Sequence, residues 1–393
     1  MVYGGVKSSL SQQRKPISPP PFCPNRACEA HHDPPAEQWW QCNGHYTTHM
    51  SGVVQRYRCS CCGCGFSAQT FHIDYFAKRR VDYARLLDEL SSCTAVRAAG
   101  RLFGVDHKTV LNKLMRFARQ ALAAQAQVWD ELALREDLVT DGFESFWVSK
   151  YFPCDLHLLA GADSQFVYAA NGVTIRRSGS MSAYQKHRRE ALERRYRADP
   201  EGVYRSFGEL LELATAFIAT ATGKSPVALR SDEHEAYRCA VAAHGAFAEL
   251  CARGRAVHRT TPSSAPRTRN NPLFAVNYLD RELRKDLAEH VRSSTRFGRS
   301  VHGAFDRLVS YLYWHNFRKR YRINTPRTEP WYSHAVMAGI SEKLCAQIGS
   351  WIFHQRAFGS RSALRGPLLW QWLRMHRTPL QRGPPYLPHF LQW

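Results

Sequence analysis

At 393 residues the chain is long enough to bury roughly two or three cores. Its 54 Lys and Arg outnumber 33 Asp and Glu, a formal charge of +21 that points to a polyanion, since Lys and Arg contacts to phosphate supply most sequence-independent nucleic-acid affinity. No apolar run approaches the roughly 20 residues of a membrane-spanning helix, and the basic N-terminus lacks the apolar segment of a secretory signal. A reducing, cytoplasmic setting with nucleic acid is therefore expected, and a membrane partner is not.

Residues 1–21, rich in Gly, Ser, Pro and basic residues with little to bury, are expected to form a flexible basic lead-in. Seven of the 12 cysteines lie between Cys23 and Cys64, a clustering that in an intracellular basic protein suits metal rather than disulfides. Structural Zn2+ takes four soft ligands from two short loops. Within a ribbon expected over residues 22–75, Cys23/Cys28 and Cys59/Cys62 form such pairs, with Gly63 in a knuckle turn, Gln55–Cys59 as the strand leading in, and Phe66 beneath. Cys61, Cys64, Cys42 and the His31/His32 pair are alternative donors.

The helical period governs residues 82–124, inside an all-α domain expected over 80–125. Tyr83, Leu86, Leu87 and Leu90 form one apolar stripe. Thr94–Phe103 forms a second helix that Gly104 ends, because a residue in the left-handed region there favours glycine. Asp106 suits an N-cap, and Val110, Leu111, Leu114 and Phe117 are expected to point the next helix inward. Two short helices joined by a glycine turn make a helix-turn-helix. Its second helix would present His107, Lys108, Asn112, Lys113 and Arg116 to phosphates and base edges.

Leu138–Val148, Leu156–Ala162 and Phe166–Ala170 read as three strands of an antiparallel meander. The first runs into a lone carboxylate, Asp141, which is either a turn cap before Gly142 or a functional acid. Residues 176–197 carry eight basic residues, Arg188 and Arg189 among them, and suit a phosphate-tracking face. Phe207–Ala221 is an amphipathic helix, and Pro226–Leu229 a short strand leading to a second carboxylate, Asp232, with Tyr237 in the following helix. Three strands, a helix and a fourth strand carrying an acid suggest a mixed α/β sheet over 135–322 that resembles the ribonuclease H fold. In that fold the first and fourth strands adjoin, so Asp141 and Asp232 are expected to face each other. Residues 255–272 read as a Pro/Ser/Arg loop, Asn277–Tyr321 as helical, and the Trp-, Pro- and Arg-rich residues 323–393 as an extension that packs or adds contact surface. Converging acids suit magnesium, a hard cation with oxygen ligands, and two such ions about 4 Å apart perform phosphodiester transfer.

The order of ribbon, helix-turn-helix, acid on a first strand, acid on a fourth and late helix resembles bacterial insertion-sequence transposases of the DDE type with an N-terminal zinc ribbon. The resemblance is carried by Gln55–Cys59, Val96–Val110, Asp141, Ser231–Glu233 with Tyr237, and Arg292–Val301, similar to the family's basic stretch after the catalytic helix. It covers roughly residues 20–320. It implies a DNA transposase that binds element ends and target as double-stranded DNA, acts as a homodimer or higher oligomer, and associates with the nucleoid. It further implies structural Zn2+, catalytic Mg2+ or Mn2+ on Asp141, Asp232 and a third acid, and DNA contacts by Arg292 and Arg296. Where the family has its glutamate, this chain has Asn277. Asp280, one turn on along the same helix face, is expected to replace it. The alternatives are Glu282 and no third acid at all; in the last case the protein binds transposon ends without cutting, as a regulator or remnant.

Overall fold

The structure, a computed structural model, describes residues 19–223, 226–291, 297–322, 324, 326, 328 and 330–381. Arg292 and Arg296, and all but the last three residues of the expected lead-in, lie outside the described residues. The chain divides into two compact units, Met1–Lys78 and Arg79–Trp393. Among the described residues no helix is long and apolar enough to cross a membrane.

In the first unit a short helix, α1 (Glu29–His32), precedes an antiparallel sheet of β1 (Trp40–Thr48), β2 (Gly52–Cys59) and β3 (Gly65–Ser67). Tyr57 pairs with Phe66 across β2 and β3. These two, with Trp39, Ala30, Cys23, Cys28 and Cys59, make up the buried core. So small an apolar core needs a staple, and all 12 cysteines of the chain are free thiols.

The second unit begins with α2 (Tyr83–Leu90), α3 (Val96–Leu102) and α4 (His107–Asp130). A meander of β4 (Leu138–Phe146), β5 (Pro153–Gly161) and β6 (Val167–Thr174) follows, then α5 (Ala183–Glu193), α6 (Gly202–Ala219), β7 (Val227–Asp232), α7 (Glu235–Ala243), α8 (Gly245–Ala252) and β8 (Ala256–Thr261). The chain continues through α9 (Phe274–Asp286), α10 (Val301–Tyr313), α11 (His334–Met337), α12 (Glu342–Trp351) and α13 (Gly366–Trp372).

The sheet is mixed, in the order β6-β5-β4-β7-β8: its first three strands are antiparallel, and β4, β7 and β8 run parallel. β8 corrects the expectation of a loop across 255–272. Ala256–Thr261 pairs with β7 along its whole length, and its Val257, Thr260 and Thr261 are β-branched residues suited to extended backbone. The main core joins Val139, Phe143, Leu156 and Leu158 of β4 and β5 to Leu279 and Leu283 of α9 and Phe305 and Leu308 of α10. Each such side chain contributes about 1.5–3 kcal/mol on burial, which fixes α9 against the first two strands.

Helix α4 departs from the facing expected of it. Asp106 caps it, accepting from Lys108 N at 2.8 Å, and Gly104 turns into it at φ +62°. Leu111, expected inward, is 43% exposed, whereas Lys113 and Arg116, expected at a DNA face, are 1% and 8% exposed. The reason is a second helical neighbour: α4 packs on α10 as well as α3, so its buried face is broader than an isolated hairpin requires. Lys113 places its ammonium 5.4 Å from the centre of the Tyr83 ring, and Arg116 Nε donates to Asn112 Oδ1 at 2.8 Å.

The same body takes in the residues after α10. Phe117 stacks on Phe353 at 5.4 Å, Arg119 donates to the Trp372 carbonyl, and Gln371 donates to the Ala170 carbonyl. Arg307 of α10 ties α2 to the turn after α9: it donates to the Leu90 and Thr94 carbonyls and pairs with Glu289 at 3.1 Å, both side chains buried.

Candidate active site and candidate metal centre

β4 and β7 pair in register at Leu138–Leu229 and Val139–Arg230. Continued three residues from the first pair, that register brings Asp141 level with Asp232, the last residue of β7. Asp141 accepts from Gly142 N at 2.8 Å, and Asp232 from His234 N at 2.9 Å. Asp280 arrives from α9, on the face whose Val276, Leu279 and Leu283 are buried against the sheet.

These acids share one field. Burial, then Asp232 and Asp155, push Asp141 up to about 7. Burial and then Asp141 push Asp280 up to about 8, against the opposing charges of Arg284 and Arg267. The buried Tyr237 hydroxyl is held well above its ordinary value by burial and by Asp155, Asp141, Asp232 and Asp280 together, so it stays protonated. Four carboxylates from four elements thus act on one phenol.

A cleft of about 250 Å³ opens beside them, lined by Gly142, Glu144, Asp155, Ile175, Asp280, Arg267 and Arg284. Arg284 lies 4.5 Å from the centre of the Phe143 ring. Glu282, an alternative third acid, faces elsewhere: it is buried in ion pairs with Lys285 and Lys319. Asn277, at the position where a glutamate was sought, is half-buried.

Sequence reasoning passed over Asp155 and His157. A signal was present: β5 is apolar almost throughout, so a carboxylate beside a histidine in its middle is as conspicuous as Asp141 in β4. Asp155 sits opposite Glu144 in the antiparallel register.

In the first unit Cys23, Cys28, Cys59 and Cys62 bring their sulfurs within 4.8 Å of one another. Cys23 and Cys62 stand 3.7 Å apart and Cys28 and Cys59 3.8 Å. Tetrahedral zinc with Zn–S bonds of about 2.3 Å sets thiolates about 3.8 Å apart, so the donor set fits zinc in both chemistry and size. Burial pushes the Cys28 thiol up to about 11 and Cys23 well above its ordinary value. Cys62, although burial opposes it, is drawn down to about 7 by hydrogen bonds from the Cys64 backbone and the Asn25 side chain. Gly63 N donates to the Cys59 carbonyl at φ +72°, forming the knuckle. Among the described residues this cysteine set is the group with such ligand spacing; Cys42, Cys61, Cys64, His31 and His32 are not in it.

The residues expected at DNA are dispersed. Lys108, Asn112 and Arg188 are exposed. Arg189 is mostly covered, pairing with Glu193 and donating to the Arg177 carbonyl.

No protein-family model matches the chain, and no curated protein sequence matches it. Among solved structures it is similar to the cryoEM structure of the simian T-cell lymphotropic virus intasome in complex with PP2A regulatory subunit B56 gamma, at 16% identity and a TM-score of 0.25. The match covers 51% of this chain and 59% of that one, so the chain spans less than two thirds of its neighbour, a likeness too loose to show a shared fold.

Proposed function

We propose that the protein is a DNA strand-transfer enzyme of the DDE transposase type, with a ribonuclease H-like core over residues 135–322. The observation that carries this reading is the convergence of Asp141, Asp232 and Asp280, three acids far apart in sequence, where the pairing of β4 with β7 stops. Asp141 and Asp280, each raised by burial and neighbouring carboxylates, offer with Asp232 the hard oxygen donors that suit a divalent cation. Magnesium or manganese held there supplies the charge that activates an attacking oxygen and stabilises a leaving one in phosphodiester transfer. Arg267 and Arg284 put guanidinium groups at the cleft, where they suit phosphate oxygens. Tyr237, stacked on Phe207 at 4.2 Å, holds the floor of the site and donates no proton at neutral pH. Zinc on the four cysteines folds the ribbon, and the exposed Lys108, Asn112 and Arg188 contact double-stranded DNA.

A second reading, a DNA-binding protein that holds element ends without cutting them, is favoured by the uncharged Asn277 in α9. One assay separates the two: magnesium-dependent strand cleavage on DNA carrying the element's own ends. The enzyme reading expects cleavage that disappears in Asp141→Asn and in Asp232→Asn; cleavage that survives either change contradicts it.

A further inference from the structure

We infer that the short ladder formed by residues 320–322 and 331–333 is a binding surface for single-stranded DNA, with a base stacking on Trp331 and the flanking phosphates held by Arg320 and Arg322. It lies after α10 and does not depend on the acids of the strand-transfer site. Trp331, Tyr332 and Met337 are 44%, 45% and 44% exposed, three large apolar side chains in the open within seven residues. Tryptophan is usually well covered, and apolar groups gathered at a surface mark a place where something binds.

The ladder is held from behind. Arg320 bridges Ser333 in antiparallel fashion, and Tyr321 N donates to the Tyr332 carbonyl at 2.9 Å. The Tyr321 hydroxyl donates to the Asp163 carbonyl at 2.8 Å. Beside it the buried His334 donates through Nδ1 to the Ser164 carbonyl at 2.7 Å and stacks on His315 at 4.0 Å. Side chains alternate across extended backbone. Tyr321 and Tyr332 therefore share the anchored face, and Arg320, Arg322 and Trp331 take the other. A ring already fixed in place loses little freedom when a base stacks on it.

Charge selects the occupant. The Arg320 guanidinium lies 5.5 Å from the centre of the Trp331 ring, and the exposed Arg322 lies 5.8 Å from that of Tyr321. Arg318 and Lys319, just before them, turn inward to Asp88 and Glu282. Across residues 318–337 the sequence has five Lys and Arg and one acid, Glu329. An apolar protein partner would cover these guanidinium groups without neutralising them, whereas a nucleic-acid strand brings phosphates. A duplex keeps its base faces stacked on one another; an unpaired strand offers them to an aromatic ring.

The test is fluorescence anisotropy of a dye-tagged oligothymidylate of about 12 nucleotides, within the span such surfaces cover. It uses the full, zinc-loaded chain without added magnesium, beside an abasic strand of equal length that keeps the phosphates and lacks the bases. Wild type is expected to bind the oligothymidylate at least about fivefold more tightly than the abasic strand. Trp331→Ala is expected to remove that preference, weakening oligothymidylate binding about 5- to 150-fold, the effect of one stacked base, with abasic-strand affinity unchanged. Trp331→Phe, which keeps a ring, should recover most of the loss, and Tyr332→Ala, on the anchored face, should cause none. Arg320→Ala should weaken both strands and reduce the salt slope by about 0.7, the share of one phosphate on a single strand. Should Trp331→Ala lower the melting temperature, Trp331→Leu, apolar but without a π face, is read in its place. Oligothymidylate affinity unaltered by loss of the Trp331 ring, or equal wild-type affinity for the two strands, overturns the inference. So does a Trp331→Ala protein that differs from wild type only in its sedimentation mass without DNA, which makes this face a contact between two copies. Cleavage is not read, so each of these outcomes leaves the strand-transfer reading where it stood.

Discussion

Asp141 and Asp232 stand level on neighbouring parallel strands, each three residues beyond the paired Leu138 and Leu229. Like charges directly opposite one another weaken a sheet, and regular pairing of β4 with β7 stops at Val139–Arg230, just short of them. The two strands thus stop pairing just before the acids.

If those two acids act as a unit, Asp141→Asn and Asp232→Asn should each lower magnesium-dependent strand cleavage by at least about 10²-fold, the scale seen when one charge-stabilising group is removed. The double substitution should cost little more than either single one, because groups acting together are not additive. Single-turnover cleavage rates give the comparison, and additive losses would separate the roles of the two residues.

The raised pKa values of Asp141 and Asp280 have a defined sign for stability. A carboxyl whose folded pKa exceeds its unfolded value, about 4, stabilises the fold fully below that unfolded value, and the contribution is lost as pH rises through the folded value. Asp141 at about 7 and Asp280 at about 8 should therefore lower the melting temperature of metal-free protein as pH climbs from about 4 to 8, with no further loss from these groups above that. Asp280→Asn should flatten that decline, and millimolar Mg2+ should reverse it in wild type. Thermal melts across the range decide; parallel profiles for wild type and Asp280→Asn would refute the linkage.

Zinc should be stoichiometric and structural. Cys59→Ser and Cys62→Ser are each expected to abolish the roughly one equivalent of zinc that a four-cysteine site binds. The near-ultraviolet dichroism of Trp39 and Tyr57 should collapse with it, as apo ribbons unfold. Metal analysis by mass spectrometry reads the first effect, and metal retained in both variants would remove the ligand assignment.

Lys108 and Lys113 lie a turn and a half apart on α4 yet should behave differently. Lys108→Ala, at an exposed position, should weaken DNA binding across sequences and reduce the salt slope by about one. Lys113→Ala, at a position 1% exposed, should lower stability and leave the slope alone. Salt titrations of affinity with parallel melts distinguish them; equal slopes in Lys108→Ala and wild type would take α4 off the DNA.

Arg307→Ala should cost about 3–5 kcal/mol of unfolding free energy, the penalty for breaking a buried pair and stranding its partner. Burial already holds the Glu289 carboxyl above its ordinary value despite Arg307, so removing the guanidinium leaves that group worse placed. Denaturant unfolding reads the cost, and a loss below about 1 kcal/mol would place Arg307 among surface pairs.

The strands of the meander were legible from their apolar runs, and Asp141 stood out because it follows Leu138, Val139 and Thr140 directly, although β4 continues past it to Phe146. The cysteine set was read from spacing, and the structure brings those four sulfurs within 4.8 Å of one another, a distance that spacing does not give. What escaped was set by tertiary partners. Leu111 and Lys113 exchanged the faces expected of them because α10 covers a side of α4 that local periodicity leaves open. β8 was hidden in a polar, basic stretch whose extended form depends on β7 beside it. Asp155 escaped although His157 stands two residues away, because the close approach of its carboxylate to Gly142 of β4 exists only once the strands pair.

Helix α4 has one further consequence. Its 24 residues make a rod of about 36 Å at about 1.5 Å per residue. Lys108 and Asn112 stand exposed near one end, while Gln125 and Trp129 near the other both donate to the Tyr168 carbonyl of the sheet, at 3.0 and 2.7 Å. That length corresponds to about ten base pairs of duplex at roughly 3.4 Å each. If the protein grips DNA at the first end and cuts it at the sheet, as proposed, the helix acts as a ruler. The spacing between bound sequence and severed bond is then built into the fold, and lengthening the duplex between them by half a helical turn turns the target phosphate away from the acids.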